Sequence, residues 1–147
     1  MKKLFLVFIM LSMTGLYAQG NNKNAKPLAG KKMVIVISSD QNEKAGMGIT
    51  LGLSASKKGA DVTIVLGAKA LKFALKKGKQ SIFLAKKLTH REILKRAIKN
   101  GAHLQVCYMC AKALGLTDKN FIKGSHVVKS LKIFNKIYES DAKVLSF

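Results

Sequence analysis

The stretch VIVISSDQNEKAGMGITLGLSASKKGADVTIVLG, Val34–Gly67, decides the fold. Met33–Ile37 is an unbroken apolar run rich in β-branched residues, which is typical of a strand buried on both faces of a sheet. Glu43–Lys58 then predicts a helix that stops at Gly59, and Val62–Leu66 predicts a second buried strand. A strand, a helix and a strand in this order indicate two parallel strands joined by a crossover helix.

Three glycines lie within the predicted helix, at Gly46, Gly48 and Gly52. Glycine weakens a helix intrinsically, so these residues need another role. Because they lack a Cβ atom, they allow the helix to pack closely against a sheet or a neighbouring subunit.

The chain continues this alternation of strands and helices. Thr89 and Glu92 form a T-x-x-E capping box, which predicts the start of a helix that ends at Gly101. His103–Cys107 then predicts a third strand, and Met109–Leu114 a short helix.

The C-terminal region predicts one more helix and a last strand, Ala142–Phe147. The buried stripe of that helix is predicted from apolar residues at helical spacing: Val127, Leu131, Phe134 and Tyr138. The whole pattern predicts the α/β class, with one three-layer α/β/α domain over residues 33–147. Its sheet is expected to be open and mostly parallel, with four to five strands.

The N-terminus has the three parts of a secretory signal peptide. Lys2 and Lys3 are positively charged, Leu4–Met13 is apolar, and Ala18 precedes a polar stretch. We therefore expect a signal peptide at residues 1–18, a flexible linker at 19–32, and an exported, periplasmic protein without stable membrane insertion. An uncleaved N-terminal membrane anchor is the alternative, because Leu16 stands where a small residue is preferred.

The chain is strongly basic, with 27 Lys and Arg residues against 7 Asp and Glu and a formal net charge of +20. Such a charge fits nucleic acid or an anionic surface. However, the only arginines are Arg91 and Arg96, and base readers favour arginine and clustered aromatic side chains. The lysines are spread along every segment, so we interpret them as a solvated surface and expect no nucleic-acid partner.

The chain has two cysteines, Cys107 and Cys110, at a predicted strand end and in the helix that follows. Unpaired backbone N–H groups and the positive end of the helix dipole both stabilise a thiolate at the strand end. Cys107 is therefore the candidate nucleophile. The simpler interpretation is that one or both cysteines are small buried hydrophobic residues.

Two other interpretations of the cysteines are weaker. A thioredoxin-type redox pair normally lies in the first βαβ unit beside a cis-proline, whereas this pair follows two strands and the only proline is Pro27. A structural zinc site needs four ligands, and the two cysteines supply only two of them. A Cu⁺ ion prefers soft sulfur ligands and would use Cys107, Cys110 and Met109. The three histidines are interpreted as surface or capping residues. We expect no metal and no cofactor, while a disulfide between the two cysteines stays open.

The carboxyl ends of parallel strands meet at one edge of a sheet, and this edge is where such folds bind their ligands. The residues expected there from the first three strands are Ser38, Ser39, Asp40, Gly67, Lys69, Cys107 and Met109. The two serines and Asp40 also have a simpler role as caps of the next helix.

Four stretches together resemble the DsrE/DsrF-like family of small sulfur-relay proteins: Val34–Gly67, LKRAIKNGAHLQVC, CYMCAKALGL and ESDAKVLSF. The resemblance covers about Lys32–Phe147. It implies an open parallel sheet and a homo-oligomer, often a trimer or hexamer.

The resemblance also implies a function. The cysteine after the third strand, here Cys107, would carry a persulfide between a sulfur donor and an acceptor, which are proteins or small thiols. The resemblance assigns no role to Cys110, but thiol chemistry would allow Cys110 to resolve that persulfide by forming a disulfide and releasing sulfide. A non-catalytic binding or scaffold module of the same fold, with structural cysteines, is the alternative, and a thiol–disulfide redox protein is another.

Overall fold

The computed structural model describes residues 26–139 and 141–147. The predicted signal peptide and residues 19–25 of the predicted linker lie outside the described residues. Within the described part of that linker, the backbone N–H of Leu28 donates to the Lys58 carbonyl at 2.9 Å, and the Leu28 side chain packs against the core. The first strand begins at Lys32.

Five parallel strands form the main sheet, which confirms the predicted α/β class. They are β1 (Lys32–Ile37), β2 (Asp61–Leu66), β5 (His103–Cys107), β6 (Ser125–Val128) and β7 (Ala142–Ser146). Their order across the sheet is β6-β5-β2-β1-β7, and every neighbouring pair is parallel. The strands predicted first along the chain, β1, β2 and β5, therefore lie side by side in the sheet.

Four α-helices connect these strands: α1 (Asn42–Lys57), α2 (His90–Lys99), α3 (Tyr108–Ala113) and α4 (Ser130–Ile137). Short 3-10 turns lie at Ala68–Ala74, Leu84–Lys86 and Asp118–Asn120. The predicted capping box is present at the start of α2: the Thr89 hydroxyl accepts the Glu92 N–H at 3.2 Å, and the Glu92 carboxylate accepts the Thr89 N–H at 2.8 Å.

The sheet separates two unequal hydrophobic clusters. The larger one packs Ile35, Ile64 and Leu104 of the strands against α1, α2 and α3. The smaller one lies on the other face, where Val34, Val65 and Val128 meet Ile133 of α4. This arrangement is the three-layer architecture that the alternating sequence predicts.

Two of the three glycines of α1, Gly48 and Gly52, face side chains of the main sheet, and Gly46 faces the ring of Phe83. A Cβ atom placed on Gly52 would lie 2.8 Å from Cδ1 of Ile64 and 3.3 Å from Cδ1 of Ile35. Such distances are well inside ordinary carbon–carbon contact, so the helix backbone touches the strand side chains directly. The close approach explains why glycine is tolerated inside a helix at this position.

The predicted buried stripe of the last helix is wrong. Val127 belongs to β6, and α4 buries Ile133 instead, with Ile137 packed beside it. The other three stripe residues are exposed: Leu131 by 71%, Phe134 by 52% and Tyr138 by 81%. Helical spacing identified an apolar face of α4, but the sheet contacts a neighbouring face, which carries Ile133 and Ile137.

The sequence pattern also missed a small antiparallel hairpin, β3 (Ile82–Phe83) and β4 (Leu88–Thr89). The hairpin lies over α1 and precedes α2.

Among the described residues, no helix is both long and apolar enough to cross a membrane.

Candidate functional site

The candidate site is built on the carboxyl ends of β1, β2 and β5. The register pairs Ile37 with Leu66 and Leu66 with Val106, so the three strands end at nearly the same level. The segments that follow them therefore share one edge of the sheet, as expected for a parallel α/β fold.

Cys107 is the last residue of β5 and the N-cap of α3, and its side chain is half-buried. Cys110 lies one turn into α3, where its side chain packs against the larger core cluster. Both thiols are free and half-buried, and the charge of Cys107 influences the pKa of Cys110. The two cysteines thus form one site with an outer and an inner member.

The backbone of Ala68 completes the inner part of the site. Its N–H donates to Sγ of Cys110 at 3.2 Å, across a sequence separation of 42 residues. Ala68 has a φ of +44°, a left-handed conformation that residues other than glycine adopt rarely. Backbone strain of this kind is concentrated at functional sites, where the surrounding structure holds it. The turn after β2 is therefore shaped to present an amide to a sulfur atom.

Burial raises the pKa of the Cys110 thiol, and negative charge on Cys107 raises that pKa further. The Ala68 N–H opposes this shift, because it stabilises a thiolate. Since the pKa is raised on balance, Cys110 keeps its proton at neutral pH. A protonated Cys110 can donate its S–H to the sulfur of Cys107.

An ion pair lies on the same edge, between Asp40 after β1 and Lys72 in the turn after β2. The Lys72 ammonium and the Asp40 carboxylate are 3.1 Å apart. The hydrogen bond from Lys72 lowers the pKa of Asp40, with a smaller contribution from the charge of Lys69. Asp40 is therefore an anion that pairs with Lys72 at this edge of the sheet.

The serines of the predicted site serve the backbone. The Ser38 N–H donates to the Phe147 carbonyl at 2.9 Å, which ties β1 to the end of β7. The Ser39 hydroxyl accepts the N–H of Gln41 at 3.1 Å, just before α1 begins. Neither contact caps the helix: the N-cap of α1 is Gln41, which makes no side-chain cap hydrogen bond, so the simpler capping role that the sequence suggests for this segment is wrong.

Gly67, Lys69 and Met109 are the remaining residues that the sequence predicts for the site. Gly67 has an extended backbone, and its N–H donates to the Ile37 carbonyl at 2.9 Å. Met109 is 63% exposed on α3, and Lys69 is also exposed. Within residues 26–139 and 141–147, no group of three or more His, Cys, Asp or Glu side chains is arranged to hold a metal ion.

Sequence reasoning missed Ala68 and Lys72, which make specific contacts in the site. Ala68 has no functional group in its side chain, so only the folded backbone reveals its contact with Cys110. Lys72 is one of many lysines, and its pairing with Asp40 depends on the turn that follows β2. In this turn the sequence pattern indicates Gly67 and Lys69, which flank Ala68, instead of Ala68 itself.

Comparison with known proteins identifies the family of this chain. The sequence model of the DsrE/DsrF-like family matches residues 31–147, which is most of the chain. The chain belongs to the DsrE/DsrF-like family. Membership confirms the family that the sequence resembles, and it does not by itself assign a reaction.

Relatives of this DsrE/DsrF-like chain include two uncharacterized archaeal proteins. One, from Methanopyrus kandleri, is 31% identical over 99 residues, which is 67% of this chain and 78% of that protein. The other, from Methanocaldococcus jannaschii, is 30% identical over 106 residues, which is 67% of this chain and 83% of that protein.

Solved structures with the same fold include the ychN protein of E. coli, with a TM-score of 0.68 and 17% identity over 80% of this chain and 99% of that one. A protein of unknown function from Methanobacterium thermoautotrophicum has a TM-score of 0.63 and 12% identity over 80% and 99% of the two chains. At these identities the structures support the fold alone.

Proposed function

We propose that this DsrE/DsrF-like protein carries sulfur as a persulfide on Cys107, as a sulfur carrier or sulfurtransferase-type protein. The observation that carries the proposal is the asymmetry of the cysteine pair. Both thiols are half-buried, but Cys107 ends β5 at the edge of the sheet, whereas Cys110 packs against the core, accepts the Ala68 N–H and keeps its proton. A sulfur at the sheet edge beside a protonated thiol is suited to nucleophilic attack.

The transfer balances without an external oxidant. The Cys107 thiolate attacks the outer sulfur of a donor persulfide, R–S–SH, and the donor's S–S bond breaks. The donor leaves as R–S⁻, and Cys107 holds the sulfur as Cys107–S–SH. An acceptor thiolate then attacks this outer sulfur, takes it as a new persulfide, and releases Cys107 as a thiolate.

Cys110 offers a second route from the same intermediate. After it loses its proton, its thiolate attacks the inner sulfur of the persulfide, which is the Cys107 Sγ. A Cys107–Cys110 disulfide forms and HS⁻ leaves, so sulfur is released as sulfide. A dithiol reductant must then restore the two thiols before another cycle.

Mass spectrometry of the reduced protein after incubation with a low-molecular-weight persulfide tests the proposal. We expect a mass increase of one sulfur atom that Cys107→Ser abolishes. Cys110→Ser is the matched control: it should keep the adduct and lengthen its lifetime, because the resolving thiol is gone. An adduct that maps to Cys110 alone, or no adduct under reducing conditions, would contradict the proposal.

A thiol–disulfide redox role is the second candidate, and the C-x-x-C spacing, which places two free thiols at the first turn of α3, favours it. Here the disulfide would oxidise a substrate dithiol and return to two thiols. Turnover of a dithiol substrate by the oxidised protein, lost in either cysteine-to-serine variant, would support this role. A protein that gives neither a persulfide nor dithiol turnover would instead be a binding or scaffold module.

We also propose that the chain is exported to the periplasm after cleavage of residues 1–18. The charged and apolar parts of this N-terminal segment support export. Expression of the full chain with N-terminal sequencing of the mature protein tests the cleavage. Retention of the intact N-terminus in the membrane fraction would favour the anchor instead.

We further propose that the protein is a homo-oligomer, as the family resemblance implies. The exposed α4 stripe formed by Leu131, Phe134 and Tyr138 supports an interface, because large apolar side chains on one helix face seldom stay in water without a partner. Light scattering should give a trimer or hexamer, which Phe134→Ser weakens. A monomer at all concentrations would contradict this proposal.

A further inference from the structure

Gln105 is a buried polar residue in the middle of β5. Its side chain is only 6% exposed, and its Oε1 has no hydrogen-bond partner among the described residues. A buried amide without a partner costs free energy, so such a group is unusual in a folded protein. The partner of this Gln105 oxygen is therefore to be sought outside the described residues, in a water molecule or a ligand.

Gln105 lines a cavity of about 320 Å³ between the sheet and α4. Gln105 pairs with His126 across β5 and β6, so the two side chains leave the sheet on the same face. His103 lies two residues before Gln105 and shares this face. The cavity, which we call the Gln105 pocket, is lined by His103, Leu104, Gln105, His126, Val128, Lys132 and Lys136.

The charges around the Gln105 pocket favour an anion. Lys136 is already paired with Glu139 at 2.8 Å and lies 3.9 Å from Asp61, which is also 3.5 Å from His103. In the part of the chain that the structure describes, Lys132 has no carboxylate within 4.0 Å and so contributes an uncompensated positive charge. A metal cation is disfavoured, because two ammonium groups line the same pocket.

We propose that the Gln105 pocket binds a small oxyanion of the sulfate or phosphate class. Lys132 supplies the positive charge, and the His126 ring and the Gln105 amide supply hydrogen-bond donors. A half-turn of the Gln105 carboxamide exchanges its oxygen and nitrogen, which places N–H groups toward the ligand. The lining of this pocket includes neither cysteine. A test of sulfate binding is therefore independent of the persulfide proposal.

Calorimetric titration of the folded protein with sodium sulfate, at constant ionic strength set with sodium chloride, tests the site. We expect saturable binding at one site per chain. Lys132→Ala should weaken it about tenfold, the effect of one charge-assisted hydrogen bond. The matched control is Lys123→Ala, which removes the same charge from an exposed position outside the pocket and should change affinity less than about twofold.

Gln105→Leu provides the second variant. We expect about tenfold weaker sulfate binding together with an unchanged or higher melting temperature without sulfate, since an unpartnered amide is replaced by an apolar side chain of similar size. Equal weakening by Lys132→Ala and Lys123→Ala would show only general attraction to a basic surface. That result, or the absence of saturable binding, would overturn the proposal.

Discussion

Replacing Gly46 with alanine should destabilise the domain, although alanine is the better helix former. Gly46 lies inside α1, and its face is covered by the ring of Phe83 from the β3–β4 hairpin. A Cβ atom there would stand 2.5 to 2.8 Å from three atoms of that ring. The ring would have to retreat by about 1 Å to restore ordinary contact.

Two opposing effects set the size of this change. Alanine improves helix propensity by about 1 kcal/mol relative to glycine. Overpacking of a well-packed interior costs about 1–3 kcal/mol. The ring cannot simply swing away, because Phe83 is buried and its centroid lies 6.0 Å from that of the buried His90. We therefore expect a net loss of about 1 kcal/mol in the free energy of unfolding.

A double-mutant cycle separates the two effects. In a Phe83→Ala background the clash is gone, so Gly46→Ala should stabilise the protein by about 1 kcal/mol through helix propensity alone. Urea unfolding of the four proteins gives the free energies. Gly67→Ala is a matched control: nothing lies within 4 Å of its added Cβ, so it should be neutral or slightly stabilising. If Gly46→Ala costs the same in both backgrounds, the packing explanation is refuted.

Two further predictions concern the start of α2. Thr89→Ala should lower the free energy of unfolding by about 1 kcal/mol, while Thr89→Ser keeps the cap. The Thr89 N–H and, to a smaller extent, the Thr89 hydroxyl lower the pKa of Glu92 below its usual 4.5. Alanine keeps the N–H but loses the hydroxyl, which donates to the Glu92 carboxylate at 2.8 Å, so urea unfolding should show that the cost of Thr89→Ala shrinks as pH falls through that lowered pKa. Burial lowers the pKa of His90 below 6.5, so the unfolded chain takes up a proton first and stability should fall as pH drops below 6.5. His90→Gln keeps a donor for the Asn42 carbonyl and should flatten this pH dependence, and an equally steep profile in the variant would exclude His90 as its source.

The central sheet was predictable because its signals are local and agree with one another. Met33–Ile37 and Val62–Leu66 are continuous apolar runs, and the structure buries both as adjacent strands. The capping box at Thr89 fixes the start of α2 through contacts within one helical turn. Such elements need no information from distant parts of the chain.

The errors arise where distant contacts decide. α4 has two apolar faces, and periodicity cannot tell which one meets the sheet; Ile133 and Ile137 do so, while Phe134 faces outward. His90 was expected at the surface or as a cap. It is fully buried and stacks on Phe73 at 4.2 Å, because the hairpin, which was not predicted, covers it.

The candidate site shows the same division. The position of Cys107 at a strand end followed from the strand pattern, and the structure has β5 ending there. The contact of Ala68 with Cys110 bridges two crossover connections, and nothing in the local sequence encodes it. Site chemistry carried by a backbone amide is invisible to any search for reactive side chains.

The hydrogen bond between Ala68 and Cys110 makes the oxidation state of the cysteines readable from the main chain. In the reduced protein the Ala68 N–H, held in a left-handed conformation, donates to Cys110. A Cys107–Cys110 disulfide would turn the Cys110 sulfur toward Cys107 and so would weaken this hydrogen bond. The loop after β2 then loses one of its anchors. Deuterium uptake at the Ala68 amide should therefore be faster in the disulfide form than in the dithiol form. This measurement would report the oxidation state of the two cysteines without a label on either sulfur atom.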